Sequence, residues 1–367
     1  MTEKLKNLLH DQATTVDFAV PDLDAITTTG DRRIRRRRGA GLVGGLAALA
    51  VVGGVAVVAL GGGEGTPRVA DEPFPTTTLS WADGSTLHAG GLTRDVGHEV
   101  AAYVVTRHGY VFADDDGTVR SLVAGRVAEV GAVTSRGPRL VGDTDGALVG
   151  WVDPSGEAPA FVVLDTSTGR VTTLETETTA GMGSLADEED PAYFYAIDGS
   201  TAYLRDHRGA VGVDVASGEV VWRDRTARNG FDVLAAEDGL VALNAGDGGT
   251  RIEGGAEPVT LPQVYGSVGT FSASGRWLSL DADEPEVYDA HTGQRVRIDI
   301  GSRVFGTGYA WVDDTTLVVL AAQTEAGPVE LLSCTVPEGS CTQAARFGDF
   351  DEFAKTVVIA FGEGFGY

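Results

Sequence analysis

The chain of 367 residues carries 51 Gly and 13 Pro, yet 43% of its residues are hydrophobic, enough apolar surface for a packed core, which excludes a wholly disordered chain. Its formal net charge of −25 is unevenly spread: residues 1–38 hold eight of the 28 basic and six of the 53 acidic side chains, leaving 20 basic against 47 acidic groups beyond Arg38. A surface of that sign repels phosphates instead of releasing their counterions, which argues against nucleic-acid binding and against attraction to anionic lipid headgroups.

At the N terminus, Leu5, Leu8 and Leu9 fall at helical spacing, compatible with a short amphipathic helix or a frayed tail. Residues 14–30 are sparse in apolar side chains and read as a linker. Six arginines between Arg32 and Arg38 then run directly into Gly39–Gly63, a stretch of Gly, Ala, Val and Leu without one charged or polar side chain. That length crosses a bilayer core, and a soluble helix would show a polar face, so residues 39–61 are expected to form one transmembrane helix. The arginines on its N-terminal flank, against an acidic far flank starting at Glu64, place residues 1–38 in the cytoplasm and the bulk of the chain outside. A cleaved signal peptide is the rival reading, but it has a shorter apolar core and fewer residues before it. Gly39, Gly41 and Gly44 match a dinucleotide-binding glycine pattern by accident, since arginines and not a strand precede them. Gly41 and Gly45 offer a weak small-residue motif for dimerisation through the helix. Residues 62–78, rich in Gly, Pro and Thr, read as a spacer.

From Leu79 onward the pattern is one of hairpins. Phe161–Leu174, Ala210–Trp222 and Glu286–Ile298 each show an apolar strand, an Asp-x-x-Ser/Thr-Gly turn at Asp165, Asp214 or Asp289, and a second strand. The Asp carboxylate can accept from the turn backbone, and the Gly can take the left-handed conformation that ends such a turn. Weaker hairpins surround Asp114–Gly117, Gly246–Gly249 and Pro337–Gly339, and further strands are expected at 147–153, 201–205, 276–280 and 316–321. The clear turns lie 49 and 75 residues apart, and the turn at Asp247 divides the larger gap. That period is in the range of β-propeller blades, and residues 79–367 at about 42 per blade give about seven. The expected fold is therefore mainly β, a β-propeller behind one transmembrane helix; a sandwich or a pair of smaller β domains is the alternative that irregular spacing leaves open.

Val213–Trp222 resembles one repeat of the pyrroloquinoline-quinone type propeller, and Phe271–Leu278 resembles the opening strand of a WD40-like blade. The layout of basic segment, anchor and divergent propeller is similar to that of actinobacterial membrane-anchored β-propeller proteins. This resemblance implies a fold and no reaction. A quinone-dependent dehydrogenase of that type would bring adjacent cysteines to its cofactor, and no Cys-Cys pair occurs.

Motifs for chemistry are otherwise sparse. There is no zinc-protease, nucleophile-elbow or P-loop signature; Ser184 stands in the wrong place for an elbow, and the histidines are scattered, His291 within a turn. No residue is assigned as catalytic or cofactor-binding. Asp187, Glu188, Glu189 and Asp190 form the densest acidic cluster and are the candidate ligands for calcium, although a solvated loop explains them without an ion. Trp151, Trp222, Trp277 and Trp311 are expected to pack between blades. Cys334 and Cys341, flanking a loop with Pro337 and Gly339, are expected to form a disulfide that staples the last blade in an oxidising compartment. The expected function is that of an extracytoplasmic interaction module, with a basic protein surface or an envelope component as partner. The alternatives are a hydrolase or lyase with a site assembled across blades, and a sensor coupled to a cytoplasmic partner.

Overall fold

The computed structural model describes residues 74–143, 146–156, 158–174, 192–206, 208–225, 232–245, 249–261, 268–281, 284–324 and 327–361. Among them, 28 strands form seven four-stranded antiparallel sheets, the blades of a β-propeller. No helix among the described residues is long and apolar enough to cross a membrane. The apolar run at 39–63 and the basic arm before it lie outside the described residues.

Blade 1 joins the first and last strands among the described residues. Its three outer strands are β1 (Ser80–Asp83), β2 (Thr86–Ala89) and β3 (Leu92–Asp95), while its innermost strand is β28 (Val357–Ile359), the last strand of the fold. The register Trp81↔Ile359, Ala82↔Val358 and Asp83↔Val357 closes the ring. Blades 2 to 7 run outward in chain order and begin with the inner strands β4 (Val100–Thr106), β8 (Val141–Gly142), β12 (Tyr193–Asp198), β16 (Val233–Glu237), β20 (Gly269–Phe271) and β24 (Phe305–Asp313). A short helix, α1 (Phe350–Thr356), leads into β28; Asp349 caps it by accepting from the Glu352 N–H, and Phe353 is buried beneath it.

The core is divided as the blades are. Seven clusters of buried apolar side chains lie between consecutive blades, the last joining Val318, Leu320 and Leu331 of blade 7 to Phe353, Val357 and Ile359. Alternation along single strands explains this. In β10 (Ala160–Asp165), Phe161 and Val163 pack toward blade 4 while Val162 and Leu164 pack toward blade 2. Strands covered on both faces read as continuous apolar runs, which is why Phe-Val-Val-Leu shows no polar alternation. Gly150 in β9 (Leu148–Asp153) is required by this packing: a Cβ there would stand 2.1 Å from the Phe194 ring of the next blade. Five tryptophans fall in five blades, with Trp151, Trp277 and Trp311 buried between neighbours and Trp222 half-buried edge-on against Tyr203.

Because pairing is antiparallel throughout, the turns from first to second and from third to fourth strand share one side of the ring, here the hairpin face. The turns from second to third strand and the passages to the next blade share the other, the crossover face. All three Asp-x-x-Ser/Thr-Gly turns join third to fourth strands, in blades 3, 4 and 6. Gly169, Gly218 and Gly293 have φ of +74°, +73° and +71° and donate to the carbonyls of Asp165, Asp214 and Asp289. In blade 7 the same turn runs from Thr335 to Gly339, and the disulfide between Cys334 and Cys341 clasps it. The weaker turn at Asp114–Gly117 differs: it joins the second to the third strand and lies on the crossover face, whereas residues 246–248 of the turn expected at Gly246–Gly249 lie outside the described residues. Blade 5 turns from third to fourth strand through Gly254–Pro258, without the Asp motif.

Candidate functional site

The inner strands surround a central channel that holds a cavity of about 380 Å³. Four of these strands carry a β-bulge. Their registers slip between Val100 and Ala102, Phe194 and Ala196, Val233 and Ala235, and Gly308 and Ala310, leaving Ala101, Tyr195, Leu234 and Tyr309 as extra residues. A bulge re-aims the side chain it inserts. Tyr195, Leu234, Phe271, Tyr309 and Trp311 are among the residues around the cavity; Leu234 and Phe271 also belong to the core between blades 5 and 6, Tyr195 to that between blades 4 and 5, and Trp311 to that between blades 6 and 7. Trp311 Nε1 donates to the Thr270 carbonyl at 3.1 Å and ties blade 7 to blade 6.

Two arginines, Arg107 and Arg139, are among the residues around the cavity. Arg139, in the passage from blade 2 to β8, donates from Nε to the Phe194 carbonyl at 3.1 Å and from Nη2 to the Tyr195 carbonyl at 3.5 Å. Its plane lies over the Tyr193 ring, 4.4 Å from the centroid. Burial lowers the pKa of Arg139 below the usual guanidinium range, opposed by the phenols of Tyr193 and Tyr195. Burial, and then the charge of Asp232, raises the Tyr195 hydroxyl.

The mouth on the hairpin face is formed by the segment entering β1 and by the ends of the inner strands. Thr76 donates to the Arg107 carbonyl at 3.5 Å, the Tyr110 hydroxyl donates to the Pro75 carbonyl, and Arg94 lies 5.5 Å from the Phe74 ring centroid. Asp313 is the one carboxylate among the lining residues. Its Oδ1 accepts from the N–H and hydroxyl of Thr315 and its Oδ2 from the Thr316 hydroxyl, so its charge is satisfied locally. Burial raises its pKa, and these hydrogen bonds, which outweigh it together, bring it below 3.8.

The crossover face has another character. Exposed acids are Asp83, Glu99, Asp115, Asp116, Glu284, Asp349, Asp351 and Glu352, against the exposed cations Arg136, Arg208, Arg225 and Lys355. The four acidic residues considered for calcium, Asp187 to Asp190, lie outside the described residues, as do Ser184 and His207. Among the described residues no group of three or more His, Cys, Asp and Glu is arranged to hold a metal. His291 is exposed in its turn, and His88 stacks on Trp81 with centroids 4.9 Å apart. Sequence reasoning did not single out Arg139; the available sign was one charged residue set between Pro138 and the apolar Leu140-Val141.

No family model matches the chain, and no curated protein matches it. Solved structures similar to this chain include the computationally designed Ika8 protein, at 15% identity and a TM-score of 0.46 over 72% of this chain and 81% of that one. A structure taken to be TolB from Agrobacterium tumefaciens aligns at 10% identity and 0.40, over 74% and 90% of the two chains. TolB from Acinetobacter baumannii aligns at 13% and 0.38, over 72% and 68%. The fold and the blade count rest on the strand pairing above.

Proposed function

We propose that this chain is a single-pass membrane protein, with residues 1–38 in the cytoplasm and residues 39–61 in the bilayer, that holds its propeller outside the membrane as an interaction module. The kinship with actinobacterial propellers of WD40-like and quinone-repeat type belongs to the same reading. The observation that carries the interaction is the acidic crossover face, where Asp83, Glu99, Asp115, Asp351 and Glu352 stand exposed. Such a field favours a basic protein surface as partner and speeds its encounter. Asp187 to Asp190 remain the proposed ligands should a calcium ion take part.

Two measurements test this. An export-dependent reporter fused at Tyr367 is expected to be active and one fused at Met1 silent; the reverse pattern overturns the topology. Full-length protein in detergent is expected to bind cytochrome c, as a basic probe, with an affinity that falls steeply as salt shortens the screening length to about 8 Å. Replacing Asp115, Asp351 and Glu352 by their amides should weaken that binding, and an unchanged affinity would remove the crossover face from the proposal.

A further inference from the structure

We infer that the outer edge of blade 3 is where two copies of this chain meet, each adding its strand β11 (Arg170–Leu174) to the other's sheet in antiparallel pairing. This edge lies on the rim of the ring, away from the crossover face of the interaction reading.

Every blade ends in an outer strand whose free N–H and C=O groups invite another strand unless something blunts them. Among the described residues, six of the seven edges are blunted. In blades 2, 4 and 7 the outer strands are β7 (Arg126–Ala132), β15 (Val220–Asp224) and β27 (Cys341–Arg346). Each carries a bulge, with Val130, Val221 and Ala344 as the extra residues, and a bulge interrupts the regular ladder that a neighbour needs. In blades 1, 5 and 6 the edge is short: β3, β19 (Val259–Leu261) and β23 (Arg295–Val296) hold four, three and two residues. Only β11 offers five residues in unbroken register with its neighbour β10, from Arg170↔Asp165 to Leu174↔Phe161. It contains no Pro, Gly or Lys, its centre is Val-Thr-Thr, and Val171 is 45% exposed.

The occupant follows from self-complementarity. A two-fold axis through Thr172 keeps each face of the extended sheet on one side, so it sets Thr172 opposite Thr172 and Val171 opposite Thr173. Such pairs are favourable across strands. Although 47 acidic groups lie beyond Arg38, β11 holds none of them, so no like charges stand directly opposite. One strand pair buries less than the ~1,200–2,000 Å² of a stable interface. Gly41 and Gly45 supply a second hold, since small residues at that spacing let two bilayer helices pack, and copies joined there meet at a raised effective concentration. That second hold rests on the membrane reading above; the edge itself does not.

The test is copper-phenanthroline oxidation of full-length protein carrying Thr172→Cys, in membranes of the expressing cells. Directly opposite residues have Cα atoms about 4.5–5.5 Å apart, a spacing that a disulfide spans. A covalent dimer is expected from Thr172→Cys and none from Val221→Cys on the bulged edge of blade 4. In detergent, sedimentation is expected to show a dimer that Thr172→Lys weakens at least tenfold by setting like charges face to face. Mixing the Thr172→Lys and Thr172→Glu proteins should restore it. Should Thr172→Lys fail to fold, the cysteine pair still decides. Equal crosslinking at both positions, no crosslink at either, or an unchanged dimer affinity in Thr172→Lys would each overturn the inference. A link from Thr172→Cys to a different protein would hand the edge to that partner and overturn the pairing of copies. The reporter fusions read topology without reference to this edge, and cytochrome c reads the crossover face, so the proposals fail separately.

Discussion

The hairpin face and the crossover face are made by the same blades, yet only the first carries a repeated signature. On the hairpin face a five-residue turn must reverse the chain between third and fourth strands, and its geometry calls for an acceptor at the start and a left-handed residue at the end. Asp165, Asp214 and Asp289 with Gly169, Gly218 and Gly293 meet both needs, and blade 7 meets them with Thr335 and Gly339. The passages on the crossover face have no shared geometry: one spans Val96–Glu99, another contains α1, and the one after β11 (Arg170–Leu174) runs to Ala192 before β12 begins. A repeated motif therefore marks where the backbone is constrained.

The largest way to break this contrast is through the closing segment, which starts on the crossover face and supplies the innermost strand of blade 1. Deleting residues 347–367 removes Phe353, Val357 and Ile359 from the interface of blades 7 and 1, each burying a side chain that contributes about 1.5–3 kcal/mol. That sum approaches the ~5–15 kcal/mol by which a domain is stable, so the truncated chain is expected to lose its cooperative thermal transition. A retained transition would show that the ring holds without its closing strand.

A smaller effect sharpens the contrast on the hairpin face. Replacing Cys334 and Cys341 by Ala, or reducing them with dithiothreitol, opens a loop of sequence separation 7 and should cost about 2 kcal/mol in a denaturant titration. An unchanged midpoint would mean that the Thr335–Gly339 turn holds the strand register without its clasp.

The smallest effect is acid-dependent. Two hydrogen bonds from Ser217 and one from the Ser200 hydroxyl lower the pKa of Asp214. For Asp165 and Asp313, burial pushes the carboxyl up but the Ser and Thr donors of the turns bring both below 3.8 on balance. A pKa lowered by folding adds stability that is present above the unfolded value and is lost as pH falls through the folded one. Changing all three to Asn should therefore flatten the fall in melting temperature below about pH 4 and leave its shape near neutrality alone. An equally steep acid limb in the variant would assign the acid sensitivity to other carboxylates.

Much of the fold was legible in the residues because its signals are local. The four additional strands expected from the pattern are β9, β13 (Thr201–Asp206), β21 (Trp277–Leu280) and β25 (Thr316–Ala322), each the second strand of its blade. The disulfide was legible for the same reason, since its two residues flank one turn. The turn at Asp114 was legible as a hairpin but not as a member of the other face, because a short reversal looks alike wherever it falls in a sheet. Of the channel site almost nothing was legible. Bulges at Tyr195, Leu234 and Tyr309 depend on the partner strand's register, and no spacing within the inner strand announces them.

By itself, then, the sequence determined what a few neighbouring residues decide: strands, reversing turns, the clasp of Cys334 on Cys341, and the sign of the charge. Only the tertiary structure decided which strand closes the ring, which side of Phe161–Leu164 meets which blade, and that Arg139 shares a cavity with Tyr309 and Trp311. The physical reason is separation along the chain. Val357–Ile359 pairs with Trp81–Asp83 across almost the whole fold, and the inner strands that enclose the channel are brought together by the closure of seven blades, a condition no local window contains.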